Sequence, residues 1–258
     1  MGVMKRIYND YLMPGQWARY RSLLSEAKAC DYRFVTHQDA EAALASGHPR
    51  LFFLRNDVDS DVPIARTMFS IERELGVYST YYFRRCTADY GLMREIRSFG
   101  SEVGYHYEEL SDHVKALGIH SSEAALPHME RIRETFLCNL KAFEQALGGK
   151  VNTVAGHGDF ANRRIGLNNT ALMSERVRSE GGIRLEAYDK VLCDHISFRT
   201  ADHNYNKFWN SNDLIEAIKA HEPAILVLVH PRHWQAAPLS RLCMDAQRLA
   251  EGICYRLR

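Results

Sequence analysis

Five side chains that can bind a metal or move a proton are found where predicted strands end: Asp57, Asp59, His106, His157 and His230. The carboxyl ends of the strands converge on one face of a parallel α/β fold, and that face carries the active site. We therefore expect these residues to meet around one cleft, although they are distant in sequence. One aspartate and two histidines make an acceptable three-ligand metal site that leaves positions open for water.

The segment Asp57-Val58-Asp59 offers two carboxylates to the same site. Residues two apart in an extended segment point to the same side. Two carboxylates a few Å apart repel each other unless a cation or a proton lies between them. One of them is therefore expected to bind a metal while the other stays free as a base. The alternative is a solvated acidic loop before the next helix, with Asp61 near the positive end of that helix.

The three histidines differ in how readily another explanation accounts for them. His106 could be a hydrogen-bonded core histidine between tyrosines, and His157, between two glycines, could belong to a simple turn. His230 directly follows the apolar run Ala224–Val229, so a core role explains it less well. The other nine are predicted to be ordinary core or surface residues: His37, His48, His113, His120, His128, His195, His203, His221 and His233.

The elements that must position these residues follow a repeated order of apolar strand, polar loop and amphipathic helix. That order favours a mainly parallel α/β sheet, and nothing in the sequence divides residues 1–258 into more than one domain. Predicted strands are 51–54, 78–83, 102–105, 151–155 and 224–229. Predicted helices span about residues 62–75, 92–99, 127–147, 212–220 and 239–252. Three of them are followed by a glycine.

Composition excludes several classes of protein. With 33 basic against 32 acidic side chains, the chain lacks the basic excess of a general nucleic-acid binder. Its longest apolar run, Ala224–Val229, is far shorter than the roughly 20 residues of a membrane helix. The N-terminus lacks the apolar core of a signal peptide, and six scattered cysteines read as reduced thiols. We therefore expect a cytoplasmic protein.

Four short segments, in this order, carry a family resemblance. Leu54–Asp59, Glu102–His106, Gly156–Gly158 and Leu228–Pro231 resemble the motifs of the polysaccharide deacetylase family, the NodB-homology type or carbohydrate esterase family 4. The resemblance is strongest to divergent members associated with surface-polysaccharide and O-antigen biosynthesis, and it covers about residues 30 to 235.

The resemblance implies a distorted (β/α) barrel of about seven parallel strands and a divalent metal, usually zinc. It gives Asp57 the role of general base, makes Asp59 and His106 metal ligands, and makes His230 the general acid. These roles imply hydrolysis of an amide or ester, with a water molecule activated at the metal.

The sequence departs from the family pattern at the second ligand histidine, whose position holds Leu110. His157 is assigned provisionally as the third metal ligand, with Glu108 as the alternative. Trp234 is expected to line the acyl or sugar pocket. Arg163 is expected near the same pocket, where it or the arginine after it would buttress the catalytic aspartate, as an arginine commonly does in the family.

The resulting hypothesis is a zinc-dependent enzyme that removes an N-acetyl or other N-acyl group from a sugar. The substrate would be a carbohydrate, such as a nucleotide- or lipid-linked precursor of a surface polysaccharide. Two alternatives remain open. A non-catalytic carbohydrate-binding protein of the same fold would explain the leucine at position 110. A glycosyltransferase with a metal-binding D-x-D motif would explain the two aspartates but would leave three histidines without a role.

Overall fold

The computed structural model describes residues 7–202 and 212–258. Within these ranges, eight strands form one sheet, and every pair of neighbouring strands is parallel. The α/β class predicted from the sequence is confirmed. The strands are β1 Arg33–Phe34, β2 Leu51–Val58, β3 Thr80–Phe83, β4 Glu102–Tyr107, β5 Thr153–Gly156, β6 Leu185–Glu186, β7 Phe198–Ala201 and β8 Ala224–Val229.

Seven strands follow one another in the order β6-β5-β4-β3-β2-β8-β7, and β1 joins the sheet beside β2. Strand β2 lies at the centre and is buried along its whole length. Its first residues pair with β1 and β8, whereas its last four residues pair with β3. A strand buried on both faces reads as a continuous apolar run, which explains the segment Leu51–Leu54.

The sheet curls toward a barrel. Leu185 of β6, near one end of the strand order, packs in the same apolar cluster as Phe53 of β2 and Leu226 of β8. A flat sheet would hold these side chains several strands apart, so the two ends must bend toward each other. Among the described residues, no pairing joins β6 to β7. The predicted distorted barrel of about seven parallel strands is confirmed.

Helices follow most strands and pack on the outside of the sheet. The helix predicted after the paired aspartates begins at Val62 with Pro63 in its first turn and ends at Gly76, whose φ of +65° suits glycine. The helices are α1 Trp17–Ala29, α2 Ala40–Ala45, α3 Val62–Leu75, α4 Tyr90–Phe99, α5 Glu109–Leu117, α6 Ser122–Ala125, α7 Met129–Leu147, α8 Phe160–Ile165, α9 Glu175–Gly181, α10 Lys190–Cys193, α11 Asp213–Lys219 and α12 Pro238–Leu257.

The longest predicted helix, now α7, anchors a strand of the site. Its apolar face is buried at the predicted positions, among them Phe136 and Phe143. The ring of Phe136 lies 5.1 Å from the ring of Tyr107, and the ring of Phe143 lies 5.0 Å from that of Tyr105. Because these tyrosines flank His106 on β4, this packing fixes the strand that carries the histidine.

Two predicted boundaries were wrong in a way that matters for the site. Strands β2 and β4 continue to Val58 and Tyr107, so Asp57 and His106 lie inside strands rather than after them. Extended backbone beyond the apolar run orients both side chains by strand alternation. Strands β6 and β7 were not predicted. In the ranges that the structure describes, no helix has the length and apolar character needed to cross a membrane.

Candidate active site

All five residues predicted to do chemistry lie at the carboxyl edge of the sheet. Asp57 is in β2 and Asp59 follows it, His106 is in β4, His157 follows β5, and His230 follows β8. The His106 Nε2 atom lies 3.5 Å from a carboxylate oxygen of Asp57 and 3.2 Å from one of Asp59. Convergence of parallel strands thus brings His106 to two aspartates that precede it by about 50 positions.

Asp59, His106 and His157 form a triangle of potential ligand atoms. Asp59 Oδ1 lies 3.2 Å from His106 Nε2 and 3.1 Å from His157 Nδ1, and the two nitrogens are 3.3 Å apart. Ligands bound at 2.0–2.2 Å in a tetrahedral zinc site are about 3.3–3.6 Å from each other. The three atoms therefore have nearly the spacing of one face of such a site.

The hydrogen bonds of these residues also suit a metal. His106 Nδ1 lies 2.8 Å from the carbonyl oxygen of Ala155. A carbonyl only accepts, so this nitrogen carries a hydrogen, and in the neutral form of the ring the lone pair is at Nε2. Asp59 Oδ1 is buried and makes no hydrogen bond of acceptable geometry in spite of the nearby nitrogens. A buried carboxylate oxygen without a partner is costly, and a cation would satisfy it.

Asp57 is held by Arg55, its neighbour two positions earlier on the same face of β2. The arginine donates from Nε to Asp57 Oδ1 at 2.7 Å and from Nη2 to Oδ2 at 2.8 Å. Both side chains are almost completely buried. Burial alone would raise the pKa of Asp57, but the Arg55 charge and, to a lesser degree, His106 hold the pKa below its usual value. Asp57 is therefore ionised and able to accept a proton at neutral pH.

Two tyrosines hold Arg55 in turn. Its guanidinium carbon lies 5.3 Å from the ring centre of Tyr82 and 4.7 Å from that of Tyr188. Its Nη2 atom also donates a hydrogen bond of 3.3 Å to the Tyr188 hydroxyl. Cation–π contacts of this kind are strongest where the cation is desolvated. The orientation of Asp57 therefore depends on side chains from β2, from β3 and from the loop after β6.

His230 is paired with Asp202, the residue directly after β7. His230 Nδ1 lies 2.7 Å from Asp202 Oδ1, and the backbone N–H of His230 donates to Oδ2 at 2.6 Å. His233 Nδ1 reaches the same Oδ1 at 2.9 Å, and the Trp234 indole N–H donates to Oδ2 at 3.2 Å. Asp202 is fully buried. These bonds engage the Nδ1 edge of His230 and fix the orientation of its ring.

The charge of Asp202 controls the protonation of His230. Burial by itself would lower the pKa of His230, but Asp202 and, more weakly, Asp59 and Asp57 raise it to about 9. His230 is thus protonated at neutral pH, as a general acid must be.

Three predicted residues do not lie where the sequence suggested. Trp234, expected to line the acyl or sugar pocket, is completely buried, and its ring packs 4.6 Å from that of Tyr20. Arg163 is exposed on α8, and the arginine that buttresses Asp57 is Arg55. Glu108, the alternative third ligand, has both its oxygens bound to Arg84 at 3.0 and 2.6 Å.

Two further outcomes concern the histidines and Leu110. Leu110 is fully buried in the main apolar cluster, so a ligand at that position would face the core. His233 was predicted to be ordinary, yet it belongs with Asp202 and His230 to a second cluster whose composition could hold a metal. His203 lies outside the described residues.

Sequence reasoning missed Arg55 and Asp202. The signal for Arg55 was available, because the alternation that places Asp57 and Asp59 on one side places Arg55 there too. Asp202 gave no comparable signal, since β7 is short and only half-buried, and its pattern resembles a loop.

Comparisons with known proteins give distant similarities only. No family model and no curated protein matches the chain. A solved structure of a CE4 family pseudoenzyme mutant with restored activity is 13% identical, with a TM-score of 0.44 over 80% of this chain. The chain spans 64% of the length of that structure.

A mutant of the peptidoglycan deacetylase PdaC from Bacillus subtilis is 11% identical, with a TM-score of 0.40 over 78% of this chain and 84% of its own. A peptidoglycan N-acetylglucosamine deacetylase in complex with an N-hydroxybenzamide compound is 13% identical, with a TM-score of 0.40 over 78% of this chain and 82% of its own.

Proposed function

We propose that the protein is a metal-dependent hydrolase that removes an N-acetyl or other N-acyl group from a sugar. The observation that carries this proposal is the arrangement of three units around one point. The Asp-His-His triangle borders an arginine-held aspartate, and an aspartate-held histidine lies near enough for its charge to interact with Asp57 and Asp59. These are the parts that amide hydrolysis requires: a Lewis acid site, a base and an acid.

Asp59, His106 and His157 would hold the metal, for which zinc suits the nitrogen and oxygen donors best. When bound, the ion would lower the pKa of water toward about 7 and polarise the carbonyl group of the amide. Asp57 would accept the proton of the attacking water, kept ionised by Arg55. His230 would donate its Nε2 proton to the departing nitrogen, while Asp202 stabilises its charged form.

The substrate class rests on the resemblance of the motifs rather than on the geometry of the site. We propose an N-acylated sugar in surface-polysaccharide or O-antigen biosynthesis, presented to a cytoplasmic enzyme as a nucleotide- or lipid-linked precursor. Comparing acetate release from free, nucleotide-linked and polymeric N-acetylated sugars would test this narrower proposal separately from the chemistry.

The chemistry is tested by metal analysis of the purified protein together with an assay of acyl release. We expect about one zinc per chain, and turnover that is abolished in Asp57→Asn and His230→Ala while the metal content stays unchanged. Near-normal turnover in either variant would refute the role given to that residue. A chain that holds no metal and stays inactive after zinc is added would support the carbohydrate-binding alternative instead.

A further inference from the structure

The last helix, α12, presents its apolar side chains to solvent. Five large apolar side chains on it are about half to four-fifths exposed: Leu239 80%, Leu242 56%, Leu249 66%, Ile253 49% and Leu257 82%. Isolated exposed leucines are ordinary, but a contiguous apolar strip on a monomer's surface marks an interaction site. We call these five residues, with Ala246, the α12 stripe.

The opposite face of α12 is polar and faces the body of the protein. Arg241, which is almost fully buried, donates from Nη2 to the carbonyl oxygen of Arg232 at 3.2 Å. Glu251 forms an ion pair of 3.4 Å with Lys115. Tyr255, the other buried residue of the helix, hydrogen-bonds through its hydroxyl to a backbone carbonyl. A surface helix usually turns its apolar face inward, so α12 has the reverse orientation.

From Leu239 to Ile253, the spacing of the stripe is that of a coiled-coil seam. Leu239, Leu242, Ala246, Leu249 and Ile253 follow one another in steps of three, four, three and four residues, which are the a and d positions of a heptad repeat. The neighbouring outward positions hold Cys243, Ala250 and Cys254, which carry no charge and are exposed. An uncharged seam with small residues at its centre lets a second helix approach closely.

The size of the stripe is compatible with a dimer. A helix of 20 residues is about 30 Å long and about 11 Å across, so its outward 160° has about 450 Å² of surface. Two copies would contribute about 900 Å², slightly below the roughly 1,000 Å² that a specific interface must clear, so neighbouring surface must add to the contact. Exposed Ile7, Tyr8 and Leu12 extend the apolar surface beside α12, where Tyr11 donates to Asp245 at 2.9 Å.

The charges around the stripe favour a protein partner over a membrane. A helix that lies on a lipid surface typically carries lysine and arginine along its polar face. Here α12 mixes the exposed Arg248 and Arg256 with Asp245 and Gln247. Other polar groups of the helix are engaged with the protein body, as described for Arg241 and Glu251. We propose that α12 pairs with α12 of a second copy of this chain in an isologous, two-fold dimer.

Sedimentation equilibrium of the full chain over a range of concentrations tests the proposal. We expect a monomer–dimer equilibrium whose dissociation constant rises at least about tenfold in Leu249→Glu and further in the double variant Leu242→Glu/Leu249→Glu. Leu126→Glu is the matched control, because Leu126 is 60% exposed but lies before α7; it should leave the constant unchanged. Far-UV circular dichroism and thermal melting would show that each variant folds.

Three results would overturn the proposal. The first is a monomer at all concentrations, and the second is a dimer that the α12 variants do not weaken. The third is a monomer that floats with anionic phospholipid vesicles in a manner that depends on Leu249.

Cross-linking gives an independent readout. Cys243 and Cys254 are 11 residues apart, or about 16 Å along the helix, too far for a short bis-maleimide to join within one chain. With exposed Cys86 and Cys138 replaced by serine, covalent dimers linked through Cys243 or Cys254 are expected, and their absence contradicts the pairing.

Discussion

The substitution Asp202→Asn isolates what a single buried charge contributes to the proposed reaction. The asparagine carbonyl oxygen can still accept the hydrogen bonds from the His230 backbone and the Trp234 indole. Its amide group would donate to His230 Nδ1, which must then be the unprotonated nitrogen of a neutral ring. The shape of the site is retained, but the charge that stabilises the imidazolium is lost.

The expected loss of activity follows from the pKa of His230. This pKa is raised from 6.5 to about 9, and Asp202 contributes most to the increase. Without that charge, burial would bring the pKa back to about 6.5 or lower. At pH 8 the protonated fraction of His230 would fall from roughly nine-tenths to about 3%, a loss of about 30-fold in active enzyme. At pH 6 the corresponding loss would be about 1.3-fold for a pKa of 6.5 and about fourfold for a pKa of 5.5.

The assay is a pH profile of kcat/KM for acyl release by the metal-loaded protein, from pH 5.5 to 10. We expect the alkaline limb of the wild-type profile near pH 9 and that of Asp202→Asn near pH 6.5 or below. Asp194→Asn, at an exposed position, is the matched control and should reproduce the wild-type profile. An equal loss of activity at pH 6 and pH 8 would refute the reasoning, because it would assign Asp202 a purely structural role. An alkaline limb that stays near pH 9 would show that another group sets it.

Three further outcomes are expected. Arg55→Leu would leave the Asp57 carboxylate buried without its cation. The acid limb of the pH profile should therefore move to higher pH, and the free energy of unfolding measured in urea titrations should fall by about 3–5 kcal/mol. An unchanged acid limb would contradict the pairing. His157→Ala should weaken zinc binding by at least about 100-fold in competition with a chelator, whereas Glu108→Gln, whose wild-type side chain is bound to arginine, should not; the reverse result would make Glu108 the ligand. Because the folded-state pKa of His230 is raised, its pairing stabilises the folded protein fully below about pH 6.5 and ceases to do so as pH rises through about 9. The unfolding free energy of wild type relative to His230→Gln should therefore decline over that range by up to about 3 kcal/mol, and a constant difference would argue against the pair.

The fold was predictable where sequence patterns coincide with long buried elements. Strand β8 is a continuous apolar run, and α3 and α7 have apolar faces at helical spacing and end at glycines. Strand β6 has only two residues, and β7 is half-buried, so neither has a periodicity to detect. Their places in the sheet depend on packing against segments that are distant in sequence. Leu185 of β6, for example, packs in one apolar cluster with Phe53 of β2 and Leu226 of β8.

The site was predictable to the extent that it depends on strand ends. The positions of His157 and His230 follow from apolar runs that end beside them, and Asp57 and Asp59 follow from alternation. The choice between His157 and Glu108 could not be made from sequence, because it depends on Arg84, which binds both oxygens of Glu108 from a different strand end. Likewise, no local pattern announces that Asp202 will meet a histidine 28 residues later.

The three carboxylates of the site divide the proposed roles through their charges. Asp57 has a cation of its own in Arg55, which is always protonated, and Asp202 has one in His230, whose pKa is about 9. Asp59 faces only two imidazoles and keeps a buried oxygen without a hydrogen bond. Burial would raise the pKa of Asp59, and the two imidazoles instead hold it well below its usual value. Neither imidazole is a permanent cation, so among these three Asp59 is the carboxylate that gains most from an external cation. Because Arg55 balances its negative charge, Asp57 needs no metal to stay ionised, and it remains available to accept a proton.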